Sequence, residues 1–203
     1  MNYVDKTLSK VAGSFPILGA VAFLQFAVLQ ILTHFNKKLE EDFGAKSPDT
    51  HFGYNEREFY EILDKWGVEG CNVYLNVAIY DFLYIPLYST FLGSILYRSC
   101  QKHNWDTKVA TQLAVAMMVS DYGETIIHYM ACMSYPAERL TPTLLFAGDL
   151  CSKVKTVSVM VAVILIITIV IIKAYIWPLL LLNGGTKKKE GKSSKVASAK
   201  KDK

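Results

Sequence analysis

The chain has 203 residues, is 52% apolar and carries a formal net charge of +4, with a mean hydropathy of +0.23. Soluble domains hold less apolar sequence, so the membrane class comes first, and no nucleic-acid partner is expected. The chain has no phosphate-cradling glycine loop, no Gly-x-Ser-x-Gly and no Cys-x-x-Cys, which removes the usual signatures of nucleotide, acyl-transfer and dithiol chemistry.

A membrane-crossing helix needs about 20 mainly apolar residues. Four runs reach that length, at about 11–35, 73–97, 109–133 and 156–182. The first run has few basic residues before it and no small-x-small site after it, so it reads as a retained helix and not a cleaved signal. Between the first two runs lies "GYNEREFYEILDKWG". Asn55 and Glu58 have the spacing of a capping box. Phe59, Ile62, Leu63 and Trp66 repeat on one helical face. This predicts a short amphipathic helix over about 56–66, closed by Gly67 and Gly70, lying at the membrane interface or as a lid on the bundle.

The links between the runs differ in charge. Residues 34–72 hold five Lys/Arg and nine Asp/Glu, whereas 98–108 hold three basic residues and one acid. Residues 134–150 have one Arg and two acids, and 183–203 have eight Lys and two acids. Basic segments collect on the cytosolic side. Both termini and the 98–108 link are therefore expected in the cytosol, with the other two links lumenal. The segment 183–203 is Gly/Ser/Lys-rich and predicts a disordered tail. Lys200 and Lys201 stand four and three from its end, the pattern of a di-lysine retrieval signal of the endoplasmic reticulum.

The third run contains Asp121, Glu124 and His128, at i, i+3, i+7 on one face. At 1.5 Å per residue, Asp121 falls near the midplane, Glu124 ~13 Å and His128 ~8 Å from the lumenal end. Asp81 of the second run falls ~12 Å from that end, level with Glu124. Tyr84 and Tyr88 share the Asp81 face, Tyr122 is a further wall candidate, and Gln25 lies mid-way along the first run. Acids at mid-bilayer are costly and turn inward. This predicts a polar pocket in the lumenal half, with Asp81, Tyr84, Tyr88, Asp121, Glu124, His128 and Gln25 as ligand-binding candidates. Lys153 or Lys155 would pair with Glu124 or His128 at its rim.

Buried polar groups also join helices without binding anything, and that reading stands beside the pocket. Ion or proton passage is disfavoured by the absence of a polar path through the cytosolic half. A metal is not expected, because the paired Glu-x-x-His pattern of di-metal bundles is missing, and no cofactor is expected either. If there is catalysis, Glu124, Asp121 and His128 are the candidates: a desolvated acid holds its proton at neutral pH and can deliver it to a double bond or epoxide. Cys71, Cys132 and Cys151 lie near lumenal helix ends, so a disulfide among them and free buried thiols are both allowed.

These residues carry two resemblances. "GYNEREFYEILDKWG", "YDFLYIP" and "SDYGETIIHYMACMSYP" resemble an uncharacterised four-span membrane protein family. That family has Gly-Tyr-Thr, an acidic amphipathic helix, a Tyr before a membrane Asp-x-x-x-Pro, and Asp-x-x-Glu-Asn followed by Tyr-Pro. Here Asp81 and Pro86 are one residue further apart, and Thr125 stands in place of the Asn. More loosely, four spans, in-membrane acids and a Lys-rich tail are similar to the emopamil-binding and sigma-2 receptor (EXPERA) family. That likeness implies an endoplasmic reticulum protein that binds sterols or cationic amphiphiles, some members being sterol isomerases, and it transfers no individual residue.

The sequence thus predicts an all-α fold: a four-span domain over 1–182, with its lumenal amphipathic helix, and a cytosolic tail over 183–203. The expected function is binding, with isomerisation as an extension, of a lipid or sterol-like amphiphile in the endoplasmic reticulum membrane. The alternative is an accessory or scaffold subunit that uses its polar groups to hold membrane protein partners.

Overall fold

The computed structural model describes residues 3–172. The described residues form five α-helices and one 3₁₀ turn, with no strand among them. The chain divides into two units, Met1–Val163, which contains the side chains of the candidate site, and Ile164–Lys203. Lys200 and Lys201, and residues 173–182 of the fourth apolar run, lie outside the described residues.

The first run does not form one helix. α1 covers Tyr3–Gly13 and α2 covers Phe15–Phe43, with Ser14 extended between them. The cause is Pro16, which lacks an N–H and crowds the carbonyl four residues back; it is tolerated only in the first turn of a new helix. α2 stops at Gly44, whose φ of 72° is left-handed and whose N–H closes on the Glu40 carbonyl. Glycine takes that conformation without a Cβ clash.

α3 covers Glu56–Lys102. Its capping box forms: Glu58 N–H donates to Asn55 Oδ1 at 2.9 Å, and Asn55 N–H to Glu58 Oε2 at 3.1 Å. The amphipathic helix ends where expected, at Gly67, but the second apolar run follows it without a link. The chain kinks at Gly67 (φ 58°, ψ −166°) and resumes helix at once. Gly70, expected to help close the first helix, lies inside the second limb. A Cβ there would fall 2.5 Å from Trp66 Cβ and 3.2 Å from the Phe43 ring, so the residue permits a close approach. The apolar face Phe59, Leu63 and Trp66 is buried within the protein, and Trp66 Nε1 donates to the Ala45 carbonyl at 2.9 Å.

α4 covers Lys108–Ser134 and α5 Pro142–Ile171. α5 begins well before Thr156, where the fourth run was expected to open. Thr141-Pro142 is a start signal: proline suits the first helical position, and the Leu144 and Leu145 N–H groups both turn back to the Thr141 carbonyl.

α3 and α4 run antiparallel. Tyr74 meets His128, Asp81 meets Thr125, Tyr88 meets Asp121, and Gly93 meets Ala114, numbers rising on one helix as they fall on the other. A Cβ at Gly93 would lie 2.8 Å from Ala114 and 3.1 Å from Leu8, so its absence brings α1, α3 and α4 together. Arg98 fixes α1 there, donating to the Ala12 carbonyl at 3.0 Å and covering the Phe15 ring at 3.9 Å. Among the described residues, three helices, α2, α3 and α5, are long and apolar enough to cross a membrane.

Candidate functional site

Two helical stripes face each other across the α3–α4 contact. Their polar residues meet in successive layers. Tyr88 donates to Asp121 Oδ2 at 2.7 Å, and Thr125 Oγ1 donates to Asp81 Oδ2 at 2.7 Å. Two turns of α3 further towards the kink, Tyr74 Oη lies 3.2 Å from His128 Nδ1, and Tyr54 Oη lies 2.6 Å from His128 Nε2. The three sequence-predicted groups of α4 share a face but reach different sets of neighbours. Asp121 meets α3 and α5, Glu124 meets α5, and His128 meets α3 and the loop before it.

α5 contributes the cation. Lys155 Nζ lies 3.2 Å from Asp121 Oδ1 and 2.5 Å from Glu124 Oε2. Glu124 is wholly buried, and its Oε1 has no donor. Lys153, the other rim candidate, pairs instead with Asp149 at 2.6 Å. The second oxygen of Asp149 accepts the Tyr54 N–H at 3.0 Å, so the loop is tied to the first turns of α5. Gly148 allows that approach, since a Cβ there would sit 2.6 Å from Tyr54 Oη. Burial, followed by the charge of Glu124, holds the Tyr54 phenol well above its ordinary range, so Tyr54 keeps its proton. A neutral imidazole accepts at one nitrogen and donates at the other, which suits His128 between two tyrosines.

Beside this network is a cavity of about 460 Å³. Asp81, Tyr84, Tyr88, Asp121 and Gln25 all line it, joined by Lys155. Glu124 and His128 do not line it. Glu124 lies behind Lys155, and His128 is enclosed by Tyr54, Tyr74 and Phe59. Tyr122 also turns away, stacking on Phe82 at 5.7 Å and donating to its carbonyl. The expectation that Asp81 and Glu124 share one wall is therefore corrected: Asp121 is the α4 carboxyl on the cavity, because the Lys155 ammonium draws Glu124 towards α5.

The remaining wall is apolar on one side, with Leu29 and Leu32 of α2, Leu92 of α3, and Val159 and Met160 of α5. The polar end contains two residues that sequence reasoning missed. Asn36 belongs to the last turns of α2, and Asp49 to the Pro48–Thr50 turn. Asn36 Oδ1 and Asp49 Oδ1 are buried without a donor, as is Gln25 Oε1. A Pro at the start of "SPDT" signals a turn, but nothing local shows that the turn covers a cavity.

Comparison with protein-family models, with curated proteins and with solved structures finds no match to this chain.

Proposed function

We propose that the protein is a four-span membrane protein of the endoplasmic reticulum whose cavity binds a lipid-like or sterol-like amphiphile. The observation that carries this reading is the cavity's division. One side is aliphatic, and the other holds three carboxyls, a single ammonium already shared with Glu124, and three buried oxygens with no donor. Unmet acceptors cost free energy. An occupant with a donor head, a hydroxyl or an ammonium, meets them while its apolar body lies along the leucines. Binding pockets generally combine such walls with a few convergent polar groups.

The membrane reading is supported by the outward faces. Phe23, Leu24 and Phe26 of α2, and Val119, Ile126, Met130 and Met133 of α4, are exposed. On α4 the inward stripe is polar and the outward stripe apolar, the arrangement that a span in a bundle requires. Both termini in the cytosol and Lys200–Lys201 as a retrieval signal complete the proposal.

The test uses the purified chain in detergent, a sterol and a long-chain alkylamine. At least one should raise the melting temperature, and Asp81→Asn should remove that gain. Asparagine keeps an oxygen for the Thr125 hydroxyl, so the unliganded melting temperature should change little. No gain with either probe overturns the binding reading. A scaffold subunit is the second reading, favoured by an apolar groove of about 560 Å³ between α4 and α5, walled by Val115, Val119, Leu150 and Val154. That reading expects stoichiometric co-purification of a membrane partner, lost on Val119→Trp.

A further inference from the structure

The chain has four cysteines, all free thiols. Two are set apart by position. Cys100 lies in the last turn of α3, at the end where α1 packs. Cys151 packs against α4 at Gly123, where a Cβ would come 2.9 Å from its sulfur. Position 123 is more than two helical turns from 132, roughly 13 Å along the axis.

Cys71 and Cys132 are brought together. On α3, residue 71 is one turn before Tyr74; on α4, residue 132 is one turn after His128. Tyr74 and His128 are in contact, and the helices are antiparallel, so the register places the two cysteines opposite each other in the next layer. Both are buried, at 2% and 5% exposure, in the same apolar cluster as Trp66, Tyr74 and Ala131.

We propose that Cys71 and Cys132 are a modification site, a dithiol that closes to a disulfide by exchange with an oxidised disulfide donor. One thiol, as thiolate, attacks a donor sulfur and releases a donor thiolate. The second then attacks the mixed disulfide and releases the other. Two thiols become one disulfide, and the donor takes up the two electrons and two protons as two thiols. The bond joins the start of the second limb of α3, just past the Gly67 kink, to the last turn of α4. It fixes the layer beneath Tyr74 and His128. Its presence in the cell rests on the orientation proposed above, since only a lumenal end meets an oxidising compartment.

The full chain is purified in detergent, reduced, freed of reductant and incubated with oxidised glutathione. It is then denatured, alkylated and mapped by mass spectrometry. The expected product is a cross-linked peptide pair containing Cys71 and Cys132, two hydrogens lighter than the reduced pair, with Cys100 and Cys151 alkylated. The oxidised chain should melt higher than the reduced one, and a Cys71→Ser, Cys132→Ser double variant should show no redox-dependent shift. A link between Cys132 and Cys151, or four alkylated thiols, overturns the proposal. A second sample is alkylated directly in intact membranes. A link found there supports the proposal in full. Four free thiols there, with the link formed in detergent, uphold the pairing and overturn the orientation.

Discussion

Among the described residues, Lys155 is the one cation that pairs with Asp121 and Glu124. Its ammonium lies between Asp121 and Glu124, with only 15% of the side chain exposed. Removing one partner of a buried ion pair leaves a charge uncompensated, at a cost of about 3–5 kcal/mol. Lys155→Met should therefore lower stability by about that amount. Adding Asp121→Asn and Glu124→Gln should restore most of it, since the carboxylates lose their charge with their partner. Thermal unfolding of the single and triple variants checks this, and an undiminished deficit in the triple variant would refute the account. Tyr74→Phe is a milder change. It removes one hydroxyl from His128, whose other nitrogen keeps Tyr54, so a loss of about 0.5–1.5 kcal/mol is expected. The i, i+3, i+7 spacing showed that Asp121, Glu124 and His128 share a face, but helical phase says nothing of which neighbour each one meets. That choice was set by Lys155 and Tyr54, whose positions follow from the start of α5 and from a loop. Asp49 was invisible for the same reason: it reaches the cavity through the fold of the loop.

At the scale of the element, the Gly67 kink turns α3. A β-carbon is disfavoured at φ 58°, ψ −166°, and residues forced into such regions cost about 1–3 kcal/mol. Gly67→Ala has open space around its new Cβ, so its penalty isolates the backbone. The expected loss is about 1–3 kcal/mol in chemical unfolding, and a neutral substitution would show that the kink relaxes freely. Gly93→Ala tests the opposite cause. Its backbone is ordinary helix, but the methyl meets Ala114 at 2.8 Å, and overpacking typically costs about 1–3 kcal/mol. The sequence displayed the signals at both ends of these helices unevenly. Asn55 and Glu58 announced the start of α3 because a capping box is local. Pro16 and Pro142 were equally local, but each lay at the edge of a long apolar run or a polar link, and average hydropathy concealed it.

For the whole molecule, the question is how many helices cross the membrane. α2, α3 and α5 qualify by length and apolar character; α4 does not because Asp121, Glu124 and His128 lower its average. Those three are buried, and a membrane tests what a helix exposes rather than its mean. If α4 crosses antiparallel to α3, as the proposed four-span reading requires, the 44–55 and 135–141 segments must share one side. The fold already holds both segments at one end. Leu140 N–H donates to Tyr60 Oη at 2.7 Å, and Tyr135 Oη to Asp64 Oδ1 at 3.1 Å. The opposite end gathers α1 and the 103–107 link, where Thr111 Oγ1 donates to Asp5 at 3.2 Å. On the proposed orientation, the basic 98–108 link faces the cytosol. The chain contains no Asn-x-Ser/Thr acceptor, so glycosylation can be introduced one segment at a time. Acceptor sites on flexible inserts at 47–48 and at 137–138 should both be glycosylated in microsomes, seen as an endoglycosidase-sensitive mass shift, and an insert at 104–105 should not. Modification at only one of the first two positions would mean that α3 and α4 do not both cross, which would overturn the four-span reading.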